Sequence, residues 1–286
     1  MSTPIPVLKG LHEIAPGYDA LFCDVWGVLH DGRAARSEAV KALHAFRATH
    51  GPVILLSNAP RPAEDVEQHF RQLGVPLDCY DAIVTSGILA RDELARRAGE
   101  GRLRILHIGP ERDRGIFAGL AIDCVEAHCA DVALCTGLFD DDHEGPEDYR
   151  ALLEQVHARG LVLICANPDL VVQRGGTLIY CAGALARLYD VLGGQTHYCG
   201  KPHAPIYERA LAEAHRIAGR DDLRVLTVGD AIETDIRGAN EAGLDALFIA
   251  DGIHGEDIGQ LTPETIGALG ERAGVQIRAA MRALVW

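Results

Sequence analysis

The feature that most constrains this chain is an alternation: from Asp19 onward, short apolar runs give way to stretches with apolar residues at helical spacing, and the pattern repeats. Parallel strands need a long crossover between them, usually a helix, so such alternation reads as β/α units building a parallel sheet. DALFCDVWGVL reads as a strand ending in a loop. Ser37 is placed to cap a helix carrying Val40, Leu43 and Phe46, and Gly51 stops it before the strand PVILLSN. Pro62 opens a second helix with Val66, Phe70 and Leu73 on one face, Gly74 ends it, and the strand DAIVTSG follows.

Residues 86–197 carry their own strands (RILHIG, DVALCTG, LVLICAN, TLIYCAG) alternating with helices such as 147–157, and read as an inserted α/β domain. The first pattern then resumes with a helix over 204–218, the strand VLTVGD, a helix over 235–242 and the strand DALFIAD. The expected architecture is α/β: a doubly wound parallel-sheet (Rossmann-like) core formed by residues 1–85 and 198–286, interrupted by the insert. At 286 residues the chain is long enough to bury a core in each part.

Charge narrows the partners. With 41 acidic against 27 basic residues the net charge is -14, and no Lys/Arg block offers a patch for nucleic acid or an anionic membrane. A phosphate ligand would therefore meet positive charge only where a site concentrates it, from a metal, a lysine or helix N-termini. The eight cysteines contain no CxxC pair and read as reduced core thiols. The group His128, Cys129 and Cys135 matches no standard zinc spacing. Residues 1–10 lack a signal-type apolar core, and no apolar run reaches the ~18 residues of a membrane span, so a cytoplasmic protein is expected.

The polar residues at the strand ends carry the chemistry. Asp24 in FCDVWGVLHDG, Ser57 in LLSNAP, Lys201 in GKPHAP, and Asp230 with Asp235 in VGDAIETD all fall in the non-contiguous core. In doubly wound sheets the carboxyl ends of the strands are where ligands bind. Any one of these residues alone is commonly a cap or turn residue. Together, in this order, they point to one shared site.

The sequence resembles the haloacid dehalogenase superfamily, specifically its class IIA phosphatases, over nearly the whole chain. The resemblance rests on DVWGVLHDG, SNAPRP, ANPD, GKPHAPIY and VGDAIETDIRGANEAGLDALFIADG, in family order, with a large insertion between the second and fourth. It implies that the insert is an α/β cap domain and that the chain hydrolyses a small phosphorylated metabolite with Mg2+ as cofactor. It further implies that Asp24 attacks phosphorus to form an aspartyl phosphate, splitting one difficult displacement into two. Magnesium, a seeker of hard oxygen ligands, would bind Asp24, the carbonyl of Trp26 and Asp230, with Asp235 a second carboxylate acting through water. Ser57 and the amides of Asn58 and Ala59 would grip phosphate oxygens, while Lys201 would neutralise phosphoryl charge and hold Asp24 ionised. Asn167 and Asp169 of ANPD, and CAGAL at Cys181 to Leu185, match places where the family contacts substrate or positions the cap. Caps of this class often pair, so a homodimer is also implied.

One position departs from the family pattern. A second Asp usually stands two residues after the nucleophile, protonating the leaving oxygen and later activating water; here that residue is Trp26. An indole donates only a neutral N–H. Either the leaving group needs no acid, or His30 or Asp31 substitutes, or the protein binds phosphate ligands with little turnover. Trp26 packing against the insert is the plainer alternative.

Other features have simpler readings. Asn-Pro-Asp is also a good turn, Arg61 and His203 flank the phosphate motifs but suit an ordinary surface, and Asp140–Glu144 reads as a solvated loop before Pro146. A dehalogenase would also use an Asp nucleophile. It needs no metal, so the carboxylates at Asp230 and Asp235 argue against it.

Overall fold

The structure, a computed structural model, describes residues 4–99, 101–174, 177–252 and 260–286. Met1, Ser2 and Thr3, within the segment read for a targeting signal, lie outside the described residues. The chain forms two compact units, one made of Met1–Ser57, Glu67–Val84 and Lys201–Trp286, the other of Asn58–Val66 and Thr85–Gly200. The expected boundaries were 85/86 and 197/198. Residues 58–66 join the insert because Asn58 and Arg61 make their side-chain bonds to Asp169, Ser86 and Asp113.

The first unit is built on a six-stranded sheet. Its strands are β1 (Ala20–Asp24), β2 (Val53–Ser57), β3 (Ala82–Thr85), β11 (Val225–Gly229), β12 (Asp245–Ile249) and β13 (Ala279–Met281), in the order β13-β12-β11-β1-β2-β3. β1 pairs in parallel with β2 and β11, and β12 with β11 and β13. Every residue of β1, β2 and β11 is buried, which is why each reads as a near-continuous apolar run. The chain runs outward from β1 to β3, then returns on the other side of β1 at β11. That reversal opens a crevice at the strand carboxyl ends.

Helix α1 (Ser37–Thr49) buries Val40, Leu43 and Phe46 as their spacing requires. Full burial of side chains of this size contributes roughly 1.5–3 kcal/mol each. Ser37 does not cap it, however. Arg36 is held extended with its N–H on the Leu29 carbonyl, so the helix starts at Ser37 and no side chain caps it. Helix α2 (Ala63–Leu73) ends at Gly74, whose φ of 78° favours glycine.

The second unit has a five-stranded sheet of β4 (Leu103–Ile108), β5 (Ile122–Cys124), β6 (Val132–Cys135), β7 (Val162–Cys165) and β10 (Gln195–Tyr198), in the order β10-β7-β6-β4-β5, with all pairs parallel. Helices α3 (Ser86–Ala98), α4 (Arg150–Ala158) and α5 (Ala182–Val191) belong to it. A 3-10 turn over Pro146–Tyr149 takes the first positions expected of α4. The run TLIYCAG forms no part of this sheet. Its strand β9 (Thr177–Tyr180) pairs antiparallel with β8 (Val171–Arg174) in a hairpin. In the first unit α6 (Ala204–Ala218), α7 (Arg237–Glu241) and α8 (Pro263–Ala273) complete the helices. Among the described residues no helix is long and apolar enough to cross a membrane.

Candidate active site

Register brings the strand-end residues to one level. Asp24 ends β1 opposite Leu56, and Cys23 pairs with Val228, so Ser57 on one flank and Asp230 on the other stand one residue beyond Asp24. Both are buried, as is Asp24, of which 7% is exposed. Lys201 arrives at the head of the returning chain and is 3% exposed. Its Nζ donates to Asp24 Oδ1 at 2.5 Å, to Asp235 Oδ1 at 2.6 Å and to the Leu56 carbonyl at 3.5 Å.

Asp235 is placed by an unusual turn. Residues Ile232–Ile236 form a π-helix ahead of α7, a wider winding than the expected helix over 235–242. The turn folds the Asp235 side chain back over Gly229, where a Cβ would lie 2.2 Å from the Asp235 Cβ. Asp235 Oδ2 accepts the Ala231 N–H at 3.1 Å, and the Tyr207 hydroxyl donates to the Asp235 carbonyl at 3.4 Å. Asp235 therefore holds Lys201 with one oxygen and its own loop with the other.

Oxygens of Asp24, Asp230 and Asp235 lie within 4.8 Å of one another. When ionised, three clustered carboxylates bring like charges together in a buried site, a costly state away from water, beside the Lys201 ammonium that pairs with two of them. Burial pushes the Asp24 carboxyl well above the usual range; Lys201 pulls it down, and Asp235 and Asp230 push it up. The ammonium alone thus does not outweigh burial. A hard divalent cation fits both the charge and the oxygen donors. Bare backbone surrounds the third carboxylate: Cβ atoms at Gly27 and Gly252 would lie 2.2 Å and 1.9 Å from Asp230 Oδ2. These glycines, with Gly229 and Tyr207, were not singled out from the sequence, although Gly27, Gly229 and Gly252 stand inside the quoted motifs.

Trp26 is held by its own loop. Its ring meets His30 edge-on at 5.2 Å, and a Cβ on Gly32 would come within 2.6 Å of the indole. His30 is buried against His69 and Phe70, its Nδ1 accepting the Gly32 N–H at 3.1 Å, and burial followed by His69 lowers its pKa to about 4. It is neutral at pH 7. Asp31 accepts the N–H groups of Arg33 and Ala34, and backbone bonds, Ala34's first, lower its pKa. Neither expected substitute is an acid in its proton-donating state at neutral pH.

The remaining sequence-predicted residues lie in the second unit, His203 apart. Asn58 donates from Nδ2 to Asp169 Oδ1 at 2.8 Å, and the Ala59 carbonyl accepts the Gly87 N–H at 3.1 Å. Asn167 Oδ1 accepts the Asp169 N–H at 3.1 Å, so ANPD forms the turn that its composition suggests. Arg61 pairs with buried Asp113 at 2.9 Å. Cys181 is the residue before α5, and His203 the residue before α6, without a side-chain cap bond in either case. In the acidic stretch Asp140 bonds His143, Glu144 accepts from the Tyr149 hydroxyl, and Asp141 pairs with Arg112.

Comparison with known proteins gives the lineage. The haloacid dehalogenase-like hydrolase family matches residues 21–123, and a HAD-hydrolase-like family matches residues 198–267. A solved hydrolase of the haloacid dehalogenase-like family from Brucella suis is 44% identical, with 98% of this chain and 100% of that one covered and a TM-score of 0.85. The D-glycerol 3-phosphate phosphatase of Mycobacterium tuberculosis is 30% identical over 255 residues, 85% of this chain; this chain spans 66% of that protein's length. A structure of glycerol phosphate phosphatase from Mycobacterium tuberculosis in complex with magnesium is 28% identical, covering 84% of this chain and 70% of that one at a TM-score of 0.62. With the Brucella relative matched from end to end, and with the motif order intact around an inserted α/β domain, this chain belongs to the haloacid dehalogenase superfamily, among its class IIA phosphatase-like hydrolases.

Proposed function

We propose that this chain is a magnesium-dependent phosphatase that hydrolyses a small phosphorylated metabolite through an aspartyl phosphate on Asp24. The observation that carries the reading is the buried Asp24–Lys201–Asp235 chain beside Asp230 at the strand ends. The relative named as a D-glycerol 3-phosphate phosphatase, and the magnesium complex of a glycerol phosphate phosphatase, support both the reaction class and the metal.

In this reading an Asp24 oxygen attacks phosphorus, the bond from phosphorus to the ester oxygen breaks, and the leaving oxygen departs on the opposite side. Water then attacks the phosphorus of the intermediate and restores the Asp24 carboxylate. Lys201 offsets charge on the phosphoryl oxygens, and Asp235 keeps its ammonium aimed at Asp24. Ser57 and the amides of Asn58 and Ala59 hold the remaining phosphoryl oxygens. Asp24, Asp230 and the Trp26 carbonyl would hold magnesium, with Asp235 behind them; the ion would supply positive charge for the phosphoryl oxygens.

The test is phosphate release from a panel of phosphorylated metabolites with magnesium, by wild type and Asp24→Asn. Release by the wild type and at least about 10³-fold less by the variant is expected. Comparable rates would refute the covalent mechanism. A second reading, a phosphate-ligand-binding protein with little turnover, is favoured by Trp26 and the unprotonated state of its neighbours. It predicts binding of the same metabolites without release.

A further inference from the structure

The turn Asn167–Asp169 was expected to face substrate or position the cap, yet its carboxylate is directed at the loop that follows Ser57. Asn58 is 5% exposed, and both ends of its amide are engaged. Nδ2 donates to Asp169 Oδ1 at 2.8 Å, and Oδ1 accepts from the Ser86 hydroxyl at 3.2 Å. Asp169 is fixed in turn, its own N–H on Asn167 Oδ1. Two glycines make the approach possible. A Cβ on Gly200 would lie 2.0 Å from Ser86 Oγ and 2.3 Å from Asn58 Oδ1, and one on Gly183 would lie 2.2 Å from the Pro168 carbonyl oxygen and 2.5 Å from that of Asp169. The far end of the same loop is held as firmly: the Thr85 hydroxyl donates to the Arg61 carbonyl at 2.7 Å, and Asp113 takes the Arg61 guanidinium.

A side chain bound at both ends fixes the orientation of the Asn58 peptide. An anion cradle of backbone amides works only if the peptide planes are fixed in advance, because their dipoles gain nothing if they must reorient on binding. We propose that Asp169 is a positioning residue for phosphate recognition: through the Asn58 side chain it fixes the amides of residues 58 and 59. This rests on the phosphatase reading above. Asp169 then acts on the phosphoryl group common to every substrate, and not on the leaving group that distinguishes one substrate from another.

The experiment uses the full-length chain with magnesium and inorganic phosphate as the probe. Phosphate affinity is measured by thermal-shift titration and, where turnover is present, as an inhibition constant against p-nitrophenyl phosphate, in wild type, Asp169→Asn and Asp169→Ala. The expected result is phosphate binding at least about tenfold weaker in Asp169→Ala, as a misplaced contact group requires. Asp169→Asn keeps a carbonyl oxygen for Asn58 and should recover part of the loss. KM should rise by the same factor for p-nitrophenyl phosphate and for glycerol 3-phosphate. Unchanged phosphate affinity in folded Asp169→Ala overturns the proposal, as does a change confined to one substrate, which would put Asp169 on the leaving group. If Asp169→Ala does not fold, Asp169→Asn against wild type decides, since an unaltered phosphate affinity there with altered substrate preference is again the refuting result. Wild type that binds phosphate without releasing it would refute the phosphatase reading while the affinities still judge Asp169. Wild type that does neither removes both.

Discussion

Substituting Gly252 by alanine isolates the geometry of Asp230 in a single methyl group. Gly252 has no left-handed backbone to strain, so the change adds only volume. The new carbon would lie 1.9 Å from Asp230 Oδ2, 2.1 Å from its Cβ and 2.3 Å from its Cγ, where ordinary contact begins at 3.4 Å. Asp230 is buried, so the carboxylate has to recede by roughly 1–1.5 Å, a displacement that commonly lowers rate about 10²-fold. That factor corresponds to about 2.7 kcal/mol of lost transition-state stabilisation. The assay is p-nitrophenyl phosphate hydrolysis over a magnesium titration, with urea unfolding to confirm that the variant is folded. Gly267→Ala is the matched comparison, since its Cβ meets nothing within 4 Å and it lies inside α8, where alanine favours the helix by roughly 0.5–1 kcal/mol. A folded Gly252→Ala with wild-type rate and wild-type magnesium dependence would show that Asp230 does not act from the position described.

Three further outcomes are expected. Chelation should abolish phosphate release and added magnesium restore it, and Asp230→Ala should raise the magnesium requirement at least about tenfold; full activity in chelator would exclude the metal. Folded His30 and His107 both have pKa values near 4, through burial first, against an ordinary 6.5. Between those values the unfolded chain binds protons that the folded chain refuses, so their stabilisation is complete above pH 6.5 and is lost as pH falls toward 4. Between pH 6.5 and 5 each histidine should contribute about 2 kcal/mol of that loss, and urea unfolding of His107→Gln should show a slope shallower by one such histidine, an identical slope being the contrary result. With no acid at Trp26, aryl phosphates and phosphoanhydrides should outpace alkyl phosphates, and Trp26→Asp should help alkyl phosphates most if its thermal stability survives losing the indole between His30 and Gly32. Equal rates on both substrate types by wild type, and no gain in the folded variant, would count against this.

What could be read from the sequence follows from which interactions are local. Strand identity in the core came from continuous apolar runs, and the strand-end positions of Asp24, Ser57 and Asp230 followed from it. Pairing direction is not local, which is why TLIYCAG gave a strand but not its antiparallel hairpin. β5, β10 and β13 span only three or four residues, and β10 (QTHY) is too polar to stand out. The Lys201–Asp235 bond joins residues 34 apart through a π-turn that no residue spacing announces. The glycines around Asp230 were visible in the motifs, but a residue without a side chain declares its purpose only when the atoms it makes room for are seen.

The position of β1 between β2 and β11 has a consequence for biosynthesis. Asp24 and Lys201 are 177 residues apart, and β11 lies later still. At ribosomal speeds of about 5–20 residues per second, some 9–35 s separate the emergence of Asp24 and Lys201. During that interval β1, apolar from Ala20 to Cys23, has β2 on one flank and a bare edge on the other, an invitation to pair with a neighbouring nascent chain. Asp24 is made early but stays without Lys201 until late in synthesis, so a truncated chain ending before residue 201 should be inert and prone to aggregate.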